Sequence, residues 1–342
     1  MSNTHLSDNV STYLWDSSHC GRLRITGPDG EDLLHRISTN DIMGLSINRS
    51  LMTLFTNPKG RIIDRVRIMK NETCMIMYTS ENCSQTIQEW IESYTFMEDL
   101  TVTDITKTTK LIDILGAGSV DVIDFLANNY GGHSPSLIGN GLLPNQSVTY
   151  EQIVLDQDDN DLMIITRTDS LLSPSYSILC SNSMYAAILH CIKVNFPNIK
   201  WITPAEHETL RISAGIPKLP NEINLKTNPL EIGLRDDISF DKGCYIGQEV
   251  ILRLDTYKKV KRHLVKVSLE SDIAPIIGSD IVSSNTTTAS GKLTSISLNI
   301  DGTGFDGLAL VKSVVHNYDQ RFEIHQDGIA LNAALQAIPE PE

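Results

Sequence analysis

The residues best suited to chemistry lie close together in Asp241–Val250, which reads D-K-G-C-Y-I-G-Q-E-V. Two glycines bracket a cysteine and an aromatic residue, and a helix is expected to start near Gly247. Cys244 then stands just ahead of a helix N-terminus and two residues from Lys242, and both neighbours favour a thiolate. The alternative is a small buried hydrophobe, which is how most free cysteines behave. The other five cysteines (Cys20, Cys74, Cys83, Cys180, Cys191) sit in apolar helix or strand contexts, where that alternative holds. Six cysteines in 342 residues, with no C-x-x-C pair, are too sparse for a disulfide scaffold. The nine histidines show no H-x-x-x-H spacing, so no local metal ligand set is expected.

A basic stretch follows the cysteine: Lys258, Lys259, Lys261, Arg262 and Lys266. Between Leu234 and Lys266 eight basic residues face five acidic ones. The stretch is either an electropositive rim for an anionic ligand or a strand edge protected by lysines. Arg211 poses a similar choice. Its guanidinium can clamp a carboxylate bidentately, or it can pair internally with Glu208, and spacing alone favours the pair. The glycines of Leu115-Gly116-Ala117-Gly118-Ser119 lack the third glycine of a dinucleotide loop and read as a tight connection.

The surrounding pattern says what positions these groups. Leu51–Phe55, Ile62–Ile68 and Met75–Tyr78 read as strands, with the turn Asn57-Pro58-Lys59-Gly60 between the first two. A helix follows from near Ser80, carrying Cys83, Ile87, Trp90, Ile91 and Tyr94 on one face, and Thr101–Ile105 returns as a strand. The order recurs: strands at Val148–Leu155, Leu162–Thr166 and Tyr176–Cys180, then a helix from Ser183. Two α+β lobes of related plan are expected, with negligible identity between them. Thr203-Pro204-Ala205-Glu206 opens another helix, which stops at Gly215. From Gly291 to Ile329 short strands and turns suit a small β-barrel, and the tail after Leu335 is expected to fray.

With 28 Lys+Arg against 42 Asp+Glu, the net charge of −14 argues against direct nucleic-acid binding and against a clamp for anionic membranes. No run approaches the ~18 apolar residues of a membrane span. Residues Met1 to Trp15 show no basic start and no apolar stretch, so a secretory signal is not expected. The reading is a reduced, cytoplasmic protein.

Lys242-Gly243-Cys244-Tyr245-Ile246-Gly247-Gln248-Glu249 resembles the signature octapeptide of the YgfZ family, folate-binding relatives of the glycine-cleavage T protein linked to iron–sulfur enzymes. The likeness extends from about residue 15 to 330. Leu23–Asp29, Leu33-Leu34 and Ser38-Thr39-Asn40-Asp41 are similar to the family's N-terminal pattern, and Thr56-Asn57-Pro58-Lys59-Gly60-Arg61 to its first hairpin. Arg211–Pro217 resembles the shared R-x-x-x-G-x-P stretch, and Pro229-Leu230-Glu231 precedes the signature. Gly291–Ser295 and Gly307–Val311 are similar to the C-terminal barrel motifs.

The resemblance implies an α+β, T-protein-like arrangement of three lobes. Residues 1–110 would form a folate-binding lobe and 111–257 a second lobe carrying the signature. A C-terminal β-barrel would span 258–333, with a tail at 334–342. It implies a monomer that binds tetrahydrofolate or another folate through Arg211, Asp41 and Lys59. Cys244 would be the required thiol, as a nucleophile, a transient iron–sulfur cluster contact or a redox partner. Its partners would be iron–sulfur assembly proteins or client iron–sulfur enzymes. A lone thiol cannot hold a cluster, so ligation would need other cysteines or a partner.

The aminomethyltransferases of this wider group carry a catalytic Asp shortly before a Trp; in Cys83–Trp90 the equivalent position reads Ile87. Their pterin-anchoring Glu has no counterpart in Asp169–Tyr176. Aminomethyl transfer needs a positioned carboxylate, so glycine cleavage is not the expected activity. Two rivals stay open: a tetrahydrofolate-dependent aminomethyl- or methyltransferase or demethylase, and a T-protein-like interaction scaffold without turnover.

Overall fold

The structure, a computed structural model, describes residues 12–130, 142–152, 161–169, 171–283, 289–312 and 321–338. These fall into two compact units interleaved along the chain. One comprises the described parts of Asn9–Thr53 and Arg65–Thr203; the other holds Leu54–Asp64 together with the chain from Pro204 onward.

The first unit is built on two sheets. Strands β1 (Tyr13–Asp16), β7 (Thr109–Leu115), β8 (Ser147–Gln152), β9 (Asp161–Arg167), β10 (Ser175–Ser181) and β11 (Lys200–Trp201) form a six-stranded sheet. Its order is β11-β1-β7-β10-β9-β8, antiparallel except for the short β1/β11 pair. Helices α3 (Ser119–Tyr130) and α4 (Asn182–Asn195) lay Val122, Ile123, Leu126, Ile188 and Ile192 on one face of it, against Ile112, Ile114, Ile165 and Ile178. Burial of each such side chain stabilises the fold by roughly 1.5–3 kcal/mol before entropy is counted.

The other sheet has the order β3-β4-β5-β2-β6, from β2 (Cys20–Thr26), β3 (Arg49–Thr56), β4 (Ile62–Lys70), β5 (Met75–Glu81) and β6 (Thr101–Asp104). Helices α1 (Gly30–Ile37) and α2 (Ser84–Glu92) accompany it and bury Leu33, Leu34, Ile37, Ile87 and Ile91. Each sheet thus comes with a helix pair, the plan expected of two related α+β lobes. The inner faces of the two sheets meet where Met69 and Ile76 pack on Leu111, Ile164 and Leu179. Arg22 of β2 is fully buried. Its donors go to Thr109 Oγ1 at 2.9 Å, Ser18 O at 3.2 Å, Thr109 O at 3.1 Å, Thr106 O and Cys20 O.

In the second unit, β12 (Arg262–Leu269), β13 (Asp280–Ser283), β14 (Ala289–Leu298), β15 (Phe305–Lys312), β16 (Phe322–Gln326) and β17 (Ile329–Ala337) close into a barrel. Its order is β12-β15-β14-β13-β16-β17, with β17 pairing back onto β12. The inward positions of each strand, such as Val265, Val267, Ile281, Leu293, Phe322 and Ile324, fill it. The barrel therefore opens before Gly291, and its last strand reaches Ala337. The tail expected to fray after Leu335 is ordered further: Gln336 and Ala337 belong to β17, and Ile338 packs against Gly215. Residues 339–342 lie outside the described residues. Helix α5 (Pro204–Ser213) packs on β14 and β15, and α6 (Gln248–Thr256) follows the signature. Among the described residues no helix is long and apolar enough to cross a membrane.

Candidate functional site

The signature octapeptide forms the loop that leads into α6. Gly247 is its hinge: it takes φ +85° and caps the helix, a conformation L side chains rarely adopt. A Cβ there would stand 2.7 Å from the carbonyl oxygen of Asn57 and 3.1 Å from Gly60 Cα. The loop is thus pressed against the tip of the β3–β4 hairpin, and Thr56 Oγ1 donates to the Ile246 carbonyl at 2.6 Å. The tip is itself rigid. Asn57 Oδ1 accepts the Lys59 amide at 2.9 Å and the Arg61 amide at 3.1 Å. Gly60, at φ +62°, lies against Val250 and Ile251 of α6, and its carbonyl accepts from Asn228 Nδ2 at 3.0 Å. Two motifs far apart in sequence, residues 56–61 and 242–249, are one structural feature.

On that feature Cys244 is a free, exposed thiol, and Gly243, Lys59 and Glu249 are exposed as well. Gln248 Nε2 donates to the Gly243 carbonyl at 3.3 Å, and the Lys242 ammonium stands 5.3 Å from the Tyr245 ring centroid. Tyr245 points inward, into an apolar cluster with Leu54, Ile62, Ile232 and Ile251. Burial pushes its phenol up to about 12. Its hydroxyl is buried with no hydrogen-bond partner among the described residues.

Arg211 resolves as an internal ion pair. It is buried, and it donates from Nε and Nη2 to the two oxygens of Glu208 at 2.9 and 2.7 Å. Nη2 also reaches Ser295 Oγ of β14 at 2.8 Å, while Nη1 donates to the Ile216 carbonyl and to Glu222 at 3.4 Å. Burial raises the Glu208 pKa, but the bonds from Arg211 and Lys218 outweigh it and hold that carboxyl below its ordinary value. All three guanidinium nitrogens of Arg211 are thereby engaged. The basic stretch is divided in the same way. Arg262 clamps Glu231 at 2.7 Å, helped by Arg61, and Lys266 donates to the Ser213 carbonyl. Lys258, Lys259 and Lys261 are exposed at the surface. Asp41 belongs to the other unit, where it accepts the Gly44 amide at 3.0 Å and pairs with His35 at 3.3 Å. The structure brings Lys59 and the signature residues to one hairpin-and-loop feature; Arg211 is engaged between α5 and β14, and Asp41 belongs to the other unit.

A further polar constellation, not singled out from sequence, lies between the two sheets of the first unit. The register aligns Trp15 (β1), Asp113 (β7), Ser177 (β10) and Thr166 (β9) in one row across the six-stranded sheet. Ser17 and Ser177 each donate to an oxygen of Asp113. Facing this row from β4, Arg67 donates from Nη1 to Ser177 Oγ at 3.4 Å. Arg67 Nε is buried and donates to no acceptor among the described residues. Burial lowers the Arg67 pKa, partly offset by Asp113, and burial raises the phenol of its cross-strand neighbour Tyr78. Both Arg67 and Asp113 are half-buried. In sequence they looked like ordinary polar positions of alternating strands; only the facing of two sheets pairs them. Among the described residues no group of three or more His, Cys, Asp or Glu side chains is placed to hold a metal ion.

Comparison with known proteins adds a family. Residues 5–131 match the GCVT N-terminal domain. A chloroplastic protein of Arabidopsis thaliana named "Putative transferase At1g60990" is 30% identical over 315 residues, covering 91% of this chain and 68% of that protein. An aminomethyltransferase of Chlorobium luteolum is 25% identical over 286 residues, 82% of this chain and 74% of the relative. The crystal structure of the glycine cleavage system aminomethyltransferase T from Bartonella henselae superposes with a TM-score of 0.82 at 18% identity, covering 97% of this chain and 87% of that one.

Proposed function

Because the chain belongs to the GCVT-domain family and has the T-protein fold, we propose that it is a cytoplasmic, YgfZ-like folate-binding protein that supports the assembly or repair of iron–sulfur enzymes. The observation that carries this reading is the clasp between the hairpin tip and the signature loop. It holds Cys244 at the surface on a rigid base, just before α6 and two residues from Lys242. A thiol in such a setting is suited to meet a partner protein's cluster or a one-carbon adduct. Ligation of a cluster would be shared with the partner, since no second cysteine lies in this loop.

A folate needs polar groups able to hold its ring and acidic tail. Arg211 does not fit a direct role, because its donors already have acceptors inside the protein. The orphaned Nε of Arg67 beside Asp113 and two serines does fit a polar ring, since a buried donor without an acceptor is costly until a ligand supplies one. A folate bound there would supply a one-carbon carrier; the chain's part is to orient it and exclude water.

The test is genetic and chemical. In a strain deleted for the gene, Cys244→Ser should fail to restore iron–sulfur enzyme activities while accumulating to normal levels. Full restoration would remove the thiol from the mechanism. Turnover of a methylated or aminomethylated amine with tetrahydrofolate, undiminished by Cys244→Ser, would instead favour a one-carbon transferase.

A further inference from the structure

Three helices of the second unit end in a left-handed turn. Helix α5 closes at Gly215, φ +73°, with the Ile216 amide donating to the Arg211 carbonyl at 3.1 Å. The short helix Pro229–Ile232 closes at Gly233, also at φ +73°. Helix α6 closes with the bonding of α5: the Lys259 amide donates to the Leu254 carbonyl at 3.1 Å, and the Lys258 amide to that of Asp255 at 3.2 Å. Here, however, the left-handed residue is Lys258, φ +49°. Glycine fits this position at no steric cost, so stability alone does not select a lysine. The helix dipole rewards a cation anywhere in the last turn, and Arg253 already supplies one. The Lys258 side chain is 82% exposed, and Arg253, Tyr257, Lys259 and Lys261 are exposed around it. Asp255, the carboxylate of this turn, is already taken by Arg235 and by Lys258 at 3.6 Å; the Arg235 bond foremost holds it below its ordinary pKa. Arg253, Lys259 and Lys261 form no ion pair among the described residues. Protection of a strand edge does not account for the turn, since β12 begins only at Arg262.

We propose that this turn docks a short acidic segment of a partner protein, whose carboxylates meet Arg253, Lys258, Lys259 and Lys261 and whose apolar side chain meets Tyr257. A nucleic acid fits worse. The chain carries a net charge of −14, so a long polyanion would run off the patch onto acidic surface. A segment of a few residues stays within it, and at physiological salt charges beyond about 8 Å are largely screened. The Lys259 ammonium also stands over the Tyr257 ring, 5.3 Å from its centroid, on a face where a base would stack. The loop bearing Cys244 enters one end of α6 and this turn leaves the other, roughly 14 Å away along nine helical residues. That the docked partner is the one presented to Cys244 rests on the function proposed above; the docking surface itself does not.

The experiment titrates the full-length protein against a fluorescein-labelled peptide of repeating Glu-Glu-Leu, its Gln-Gln-Leu counterpart and labelled oligouridylate, following anisotropy. The Glu peptide should bind saturably, and the other two far more weakly. Its affinity should fall about 10-fold between ~50 and ~200 mM salt. Lys258→Glu, Lys259→Glu and Lys261→Glu combined should weaken it by about 10- to 100-fold, while Cys244→Ser leaves it unchanged. Lys258→Gly separates the roles: it should raise the melting temperature by relieving the turn, yet weaken the peptide by about 2- to 5-fold. A lowered melting temperature with unchanged affinity would make Lys258 a structural residue and overturn the assignment. No saturable binding of the Glu peptide, or tighter binding of oligouridylate through the same lysines, overturns it too. In the deletion strain the triple glutamate variant, accumulating normally, should fail to restore iron–sulfur enzyme activities. Restoration by that variant, with its peptide binding lost, leaves the surface standing and detaches it from Cys244. Its failure alongside full restoration by Cys244→Ser keeps the surface and overturns the thiol reading.

Discussion

At the scale of single residues, the signature loop depends on two atoms, one absent and one unsatisfied. The absent atom is the Cβ of Gly247. Gly247→Ala would place it 2.7 Å from a backbone oxygen at φ +85°. The cost should be about 2–4 kcal/mol in urea unfolding, with the Ile246–Ile251 amides losing hydrogen-exchange protection. A loss below ~0.5 kcal/mol, that of an ordinary surface change, would show the clasp to be slack. The unsatisfied atom is the Tyr245 hydroxyl. Tyr245→Phe removes a buried polar group that has no partner, so stability should hold or rise by up to ~1–2 kcal/mol. A clear fall in the unfolding midpoint would mean the hydroxyl is bonded in solution. Sequence made the glycine legible, since the bracketed cysteine needs a turn. It could not show the orphaned hydroxyl, which depends on what surrounds Tyr245 in the apolar cluster.

At the scale of elements, α5 is fastened to the barrel by Glu208, Arg211, Ser295 and Glu222. The Glu208 carboxyl titrates below its ordinary 4.5 in the folded protein. Its ionised form is therefore the one the fold favours. Its contribution is complete above that unfolded value and is lost as pH falls through the lower folded one. Glu208→Gln should make the acid limb of the stability curve shallower below pH 4.5, with little change in slope near neutrality. Parallel curves for the two proteins would show that other carboxylates govern the limb. The Glu208–Arg211 pair was readable from i, i+3 spacing, whereas Ser295 and Glu222 come from distant chain and were not. Alternation made β4 legible, and a short apolar run marked β10, which is buried along almost its whole length. The end of the final strand was read as tail: β17 pairs with β16 as a local hairpin up to Ala333, but Ala334–Ala337 pair with β12, far back in sequence, and a short A-A-L-Q-A run carries little pattern alone.

At the scale of the whole molecule, a partition at residues 110 and 257 follows chain order, while the compact units interleave. Leu54 and Ile62, from the hairpin tip, complete the apolar cluster around Ile212, Ile232, Tyr245 and Ile251. A fragment beginning at Pro204 lacks both. It should show no cooperative melting of the signature region, although its barrel strands are all present. A fragment as stable as the full chain would show the hairpin tip to be dispensable. Hydrophobic pattern reports the faces of elements, but not which of two cores a strand end joins, and that is why the interleaving was invisible.

The borrowed hairpin tip also imposes an order in time. Ile251 is made 187 residues after Asp64. At ~5–20 residues per second, the tip waits roughly 10–40 s on the ribosome for the helix that covers it. The apolar cluster around Leu54 and Ile62 is completed in steps over that interval, as Ile212, Ile232, Tyr245 and finally Ile251 are made. Slowing synthesis between these points should lower the yield of folded protein more than slowing it after Ile251.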